Sequence, residues 1–276
     1  MNLSLEVPAG GGTPAEQALR ANDPRTALKL LQDQVRSKPA DPKLRTFLFQ
    51  LLAVLGQWDR ALTQLNVVSE LDSSALPMVQ TYRETIQCER LREQVFLGKK
   101  VPLLFGEPQA WVALLVEAMI RDGRGDAGDA KRLRDQAFEQ APATAGSADG
   151  QAFEWLADAD MRLGPVLEAI INGRYYWVPM ANLAEVKIEP PADLRDRVWT
   201  AAKFMFSNGG ESVAFIPTRY AGTVLDDAEL ALARRTDWAE PQPGFYVGSG
   251  QRMFTSDAGD LALMDLRAIT FNTSAA

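Results

Sequence analysis

Apolar positions recur at helical spacing from Thr13 to about residue 141, and Gly, Pro, Asn and Asp interrupt them at short intervals. The spacing predicts a long helix over residues 75–97 and another over 108–121. From about residue 150 the texture changes to short runs rich in β-branched and aromatic residues. They cover 153–156, 166–171, 175–179, 184–188, 203–206, 212–216 and 261–269. Asn172-Gly173 between two of these runs reads as a tight hairpin, and Asn208-Gly209-Gly210 as another. Residues 226–234 read as a short helix, 141–151 as a linker, and the Gly- and Pro-bearing residues 1–12 as a disordered tail.

Within the helical part the punctuation repeats. Ala27 follows Asn22 by five residues and precedes Pro39 by twelve; Ala61 follows Gly56 by five, with Trp58 between. Ala27 and Ala61 are 34 residues apart, as are Leu31 and Leu65. A period of 34 with a turn residue, an aromatic residue and Ala at these offsets is the tetratricopeptide pattern. The small Ala lets the second helix of a pair approach the first. Gly125, Ala130, Ala137 and Pro142 give a degenerate third copy. The expected fold is therefore α+β: tetratricopeptide-like helical repeats over 13–142, then a mainly antiparallel sheet domain with a few helices over 150–276.

Composition narrows the chemistry. With 29 basic and 36 acidic residues the net charge is −7, which disfavours a phosphate-backbone partner. The start of the chain carries no basic segment before a long apolar one, so no secretory signal is read there. Apolar runs such as 111–116 fall far short of the ~20 residues of a membrane helix, and a cytoplasmic protein without a membrane partner is expected. Cys88 is the one cysteine, read as a small buried hydrophobe. There is no histidine. Ser–His and Cys–His nucleophiles and His-ligated metals are excluded, leaving carboxylate, lysine or tyrosine chemistry.

Gly123, Gly125 and Gly128 spell G-x-G-x-x-G, but between helices and amid Asp122, Asp126 and Asp129, where a pyrophosphate would be repelled. The Arg124-Gly125-Asp126 triplet is read as an accident of a loop. The segment from Phe153 to Glu168 is more informative. If it is extended, Asp158 and Asp160 share a face with Glu154, and Arg162 is close by. The preferred reading is a polar network at the domain junction, paired by Arg162 and neighbouring arginines. The alternative is a cation-dependent hydrolase using Glu154, Asp158 and Asp160. Among the six tryptophans, Trp58 reads as repeat packing, and Trp111, after Gly106-Glu107-Pro108, is placed as a groove-lining candidate. Arg219-Tyr220 reads either as a surface contact or as a junction filler.

Longer strings resemble the ImpE family, also called SciE or TagJ, accessory proteins of bacterial type VI secretion. The carriers are REQVFLGKKVPLLFGEPQAWVALL (92–115), AFEQAP (137–142) and GQAFEWLADADMRLGPVLEAIINGRYYWVP (150–179). EPPADLRDRVW (189–199) and ESVAFIPTRYAGT (211–223) add to them, and Phe105 departs from the Leu expected before Gly-Glu-Pro. The resemblance implies a non-catalytic adaptor, without cofactor or metal, that binds the N-terminal helix of the small sheath subunit TssB. It would act in sheath assembly or, indirectly, in recycling by the ClpV unfoldase, and a homo-oligomer is left open. Trp111, Trp155, Asp158, Asp160, Arg162, Arg219 and Tyr220 are the residues expected to bind protein.

Overall fold

The computed structural model describes residues 12–272; apart from Gly12, the expected disordered tail lies outside the described residues. Seven helices come first: α1 (Pro14–Arg20), α2 (Pro24–Ser37), α3 (Pro42–Val54), α4 (Trp58–Leu71), α5 (Leu76–Phe96), α6 (Ala110–Gly123) and α7 (Ala127–Gln140). Local chemistry sets their starts. Thr13 and Glu16 form a reciprocal capping box on α1, and the Asp23 and Asp41 side chains accept from first-turn amides of α2 and α3. Proline in the first turn of each of these three helices fixes φ where no amide partner is needed.

Helix α1 packs on α2, α3 on α4, and α6 on α7. The residues that define the 34-residue period, Ala27, Leu31, Ala61 and Leu65, are fully buried where paired helices meet. Ala130 and Ala137 are fully buried in the third pair. Four residues after Ala130, at the offset that Leu31 and Leu65 occupy, stands Arg134, buried against the Phe245 ring and paired with Asp122.

The strands are β1 (Leu103–Leu104), β2 (Gly146–Ala148), β3 (Gln151–Phe153), β4 (Leu156–Asp158), β5 (Val166–Ile171), β6 (Arg174–Pro179), β7 (Leu183–Ile188), β8 (Trp199–Phe206) and β9 (Glu211–Pro217). After a short helix, α8 (Ala228–Ala231), come β10 (Thr236–Gln242), β11 (Phe245–Gly250), β12 (Met253–Ser256), β13 (Gly259–Ala262) and β14 (Ala268–Phe271). One sheet holds nine strands in the order β1-β6-β5-β9-β8-β7-β14-β2-β3; β13-β12-β4 and β10-β11 form two smaller ones. Pairing is antiparallel throughout, except that β1 runs parallel to β6. The helical half thus supplies an edge strand to the sheet.

Asn172 and Gly173, both at positive φ (49° and 69°), make the expected two-residue turn between β5 and β6. The second expected turn joins β8 to β9. Three expectations change. The run 153–156 breaks where the Asp257 carboxylate takes the Glu154 and Trp155 amides, sending β3 and β4 to different sheets. The run 261–269 is likewise two strands of two sheets, and the linker 141–151 contains β2.

Both faces of the large sheet are covered where β5 runs through it. Val166, Ile170, Tyr175, Trp177 and Trp199 face the helices, and Leu167, Ala169, Val178, Phe204 and Ile216 face Phe254 and Leu263. This explains why β5 is buried at all six positions and reads as a continuous run rather than an alternation. Glu168, on the helix-facing side by strand alternation, is the one charged residue in that run.

Candidate functional site at the junction of the two halves

The buried stripe of α5 runs Val79, Tyr82, Ile86, Glu89, Arg92, Val95, at three- and four-residue spacing. Two of its members are charged, and both face the sheet. Arg92 donates from Nε to Glu168 Oε1 at 2.7 Å and from Nη2 to Glu168 Oε2 at 2.9 Å, a bidentate pair. Its Nη2 also reaches the Arg219 carbonyl at 2.8 Å, and Glu89 accepts from Arg92 and, at 3.0 Å, from Trp199 Nε1. On the far side of Glu168, Arg252 donates to it and to Asp158, while its Nε reaches the Pro217 carbonyl at 2.9 Å. The Tyr175 hydroxyl donates to Glu168 as well and accepts from Trp177 Nε1 at 2.8 Å.

Next to this chain of contacts, Asp160 accepts from Arg162 Nε at 2.9 Å and from the Gly248 amide at 3.0 Å. Four carboxylates (Glu89, Asp158, Asp160, Glu168) and four arginines (Arg92, Arg162, Arg219, Arg252) therefore gather in a largely buried junction, where Arg92, Arg162 and Arg252 are ion-paired and Arg219 is bonded to carbonyls. Buried charges persist where ion pairs or hydrogen bonds replace the lost water.

The environments separate the two carboxylates that share Arg252. Burial alone would raise Glu168, but Arg92 and Arg252 outweigh it and hold its carboxyl down at about 2. Burial pushes Asp158 up to about 7, because Arg252 is shared and only partly offsets it. Arg219 has no carboxylate within ion-pair reach among the described residues. Its guanidinium donates to the Val54 and Ala231 carbonyls, each at 2.6 Å, and burial draws it down to about 10. Val54 is the last residue of α3 and Ala231 the last of α8, so one cation closes two helix C-termini. Tyr220 donates to the Met253 carbonyl at 2.9 Å and accepts the Met253 amide at 2.8 Å. The Arg219-Tyr220 pair is thus a filler of the junction.

A cleft of about 400 Å³ opens beside this network. Trp58, Phe96, Leu97, Val198 and Leu225 give it apolar walls, and Glu93 and Arg162 are among its polar groups. Of the seven residues singled out in the sequence, Arg162, Arg219 and Tyr220 line this cleft. Trp155 and Asp158 line a second hollow of about 430 Å³ beside Phe138 and Pro142, and Trp155 is 40 % exposed there. Asp160 is fully enclosed. Trp111 lies apart, buried near the start of α6, with Nε1 on Gln109 Oε1 at 2.5 Å.

The geometry does not form the extended carboxylate face on which the hydrolase alternative drew. The strand ends at Asp158 and turns, the Asp160 amide closing on Asp158 Oδ1 at 2.9 Å, so the extended face is never built. Arginines occupy Asp158 and Asp160, and Glu154 is exposed. Among the described residues no group of three His, Cys, Asp or Glu gathers as metal ligands. The preferred junction-network reading is what the molecule contains. Glu89, Arg92, Glu168 and Arg252 were not anticipated in it; a lone acid in the apolar run of β5 was the available signal for Glu168. Cys88 is buried, its thiol pushed up to about 12 by burial and donating to the Gly173 carbonyl at 3.2 Å.

The repeats themselves present no open groove at α3. Its residues Phe47 to Val54 are all buried, between α2 and α4 on one side and the Leu194–Arg197 turn and Arg219 on the other. Tyr82 joins Phe49, Trp199 and Phe215 in an aromatic cluster with centroids 5.5–5.6 Å apart that completes the seal.

Comparison with known proteins places these features. Residues 150–270 match the family model described as ImpE protein, and residues 18–81 match a tetratricopeptide repeat model. The chain is 54 % identical over 258 residues to the type VI secretion system accessory component TagJ of Pseudomonas aeruginosa, covering 93 % of this chain and 90 % of that protein. The crystal structure of protein VPA1032 from Vibrio parahaemolyticus shares the fold, with a TM-score of 0.88 at 24 % identity, over 95 % of this chain and 98 % of that one. No helix among the described residues is long and apolar enough to cross a membrane.

Proposed function

The chain belongs to the ImpE family, and from that premise we propose that it is a non-catalytic adaptor of a bacterial type VI secretion system. Its partner in this reading is the N-terminal helix of the small sheath subunit TssB, and its work is in sheath assembly or in recycling by ClpV, which places it in the cytoplasm. The carrying observation is the 54 % identity to an accessory component of that system, running through both the helical repeats and the sheet half. The site is in keeping with it: among the described residues the buried charges are engaged in holding the halves together.

The test is fluorescence anisotropy of a labelled N-terminal peptide of the cognate TssB against the full-length protein, with a scrambled peptide as control. Saturable binding of the native peptide alone is expected. Its failure to bind at high micromolar protein would overturn the reading.

A further inference from the structure

We propose that the junction cleft is the docking site for an amphipathic helix, which inserts a pair of bulky apolar side chains and presents a basic residue to Glu93. The proposal rests on the adaptor reading above and specifies where that adaptor binds and what it recognises.

Three observations converge on the cleft. First, the α3 surface of the repeats is sealed by the chain's own sheet half, so an incoming helix needs another place. Second, the cleft mouth keeps apolar surface in water. Leu97 is 50 % exposed at the end of α5, beside the half-buried rings of Trp58 and Phe96. Grooves of this kind receive helix anchors spaced three or four residues apart, and 400 Å³ holds two such side chains.

Third, one carboxylate there has no cation beside it among the described residues. Arg162 in the cleft is paired with Asp160, and Arg90 close by with Asp59. The Glu93 carboxylate accepts a hydrogen bond from Trp58 Nε1 at 2.9 Å and has no cation within ion-pair distance among the described residues. A carboxylate fixed against an indole edge suits an Arg or Lys side chain, which can pair with the acid while its stem lies on the ring. The occupant is therefore a helix with an apolar stripe flanked by a base.

The test uses the full-length protein, the labelled TssB N-terminal peptide, and three variants. Leu97→Glu and Glu93→Lys alter exposed cleft side chains; Val213→Glu alters a 68 % exposed position on the β8–β9 hairpin outside the cleft. Thermal melts matching the parent establish that each variant is folded. Leu97→Glu and Glu93→Lys are each expected to weaken binding about tenfold or more, and Val213→Glu to leave it unchanged. A peptide with its basic residue changed to Glu is expected to regain affinity for Glu93→Lys, an outcome that lost stability cannot produce. Parental affinity in both cleft variants, or loss in Val213→Glu alone, would refute the cleft and leave the adaptor reading standing. No binding by the parent protein would refute both.

Discussion

Glu168 carries more of this molecule than any other single side chain, because two guanidiniums and a phenol are satisfied by one carboxylate. Glu168→Gln leaves Arg92 and Arg252 buried with too little negative charge, and a loss of about 3–5 kcal/mol is expected in urea unfolding. Arg219 acts differently, on carbonyls. Arg219→Met is expected to cost about 1–3 kcal/mol by leaving the Val54 and Ala231 carbonyls unmet, measurable in the same unfolding curves. The two carboxylates on Arg252 have opposite pH signatures. Glu168, held near 2 against an ordinary 4.5, contributes stability that is complete above pH 4.5 and lost as pH falls toward 2. Asp158, raised from 3.8 to about 7, favours the fold below pH 3.8, and that contribution is lost as pH rises to about 7. Between pH 4.5 and 7 the melting temperature of Asp158→Asn is therefore expected to vary less with pH than that of the parent. An equal slope in both would refute this. In the sequence, Glu168 was visible as the one acid in VLEAII; Arg252 was not, because nothing local distinguishes an arginine whose partners lie 84 and 94 residues away.

At the scale of elements, the glycines that mimic a dinucleotide motif are not equivalent. Gly123 ends α6 where it crosses the end of α5; a Cβ there would stand 2.3 Å from the Leu97 carbonyl oxygen and 2.8 Å from the Gly98 Cα. Those are backbone atoms, and they cannot swing aside. Gly123→Ala is expected to lower stability by about 1–3 kcal/mol, whereas Gly128→Ala, with open space around it, should leave the melting temperature unchanged or slightly raised. The helical elements were legible because their period is local: a 34-residue repeat needs only the chain itself to be seen. The third pair was legible as degenerate, and Arg134 supplies a physical reason, a cation where the others place Leu. Strands β10 to β12 were not legible. Glu240-Pro241 interrupts an exposed β10, and β11 contains two glycines, so neither shows the alternation from which strands are read.

The whole molecule is tied across its junction by charge, aromatic packing and strand pairing together. Trp199 from β8 packs on Tyr82 of α5 and Trp58 of α4, and β1 lends the helical half to the sheet edge. Unfolding is accordingly expected as one transition: far-ultraviolet circular dichroism, dominated by the helices, and tryptophan fluorescence, to which six tryptophans including Trp177 and Trp199 at the junction contribute, should give superimposable urea curves. Two separated midpoints would mean that the halves are independent. The overall α+β division was readable from texture alone, helical spacing giving way to short β-rich runs. That the two parts are fused by a buried ionic network was foreshadowed only by the Asp158–Asp160–Arg162 cluster, since ion pairing between distant segments leaves no periodic trace.

The last strand among the described residues, β14, lies inside the nine-stranded sheet, between β7 and β2. A chain growing from its N-terminus can pair β2 with β3, and β7 with β8 and β9, as each emerges. It cannot join those two groups until Phe271 has been made. Until then β7 and β2 each hold out an unpaired edge, the kind of surface that recruits chaperones or neighbouring chains. Loss of Ala268–Phe271 would thus remove a keystone, and a nascent chain stalled short of it would hold its sheet in two pieces.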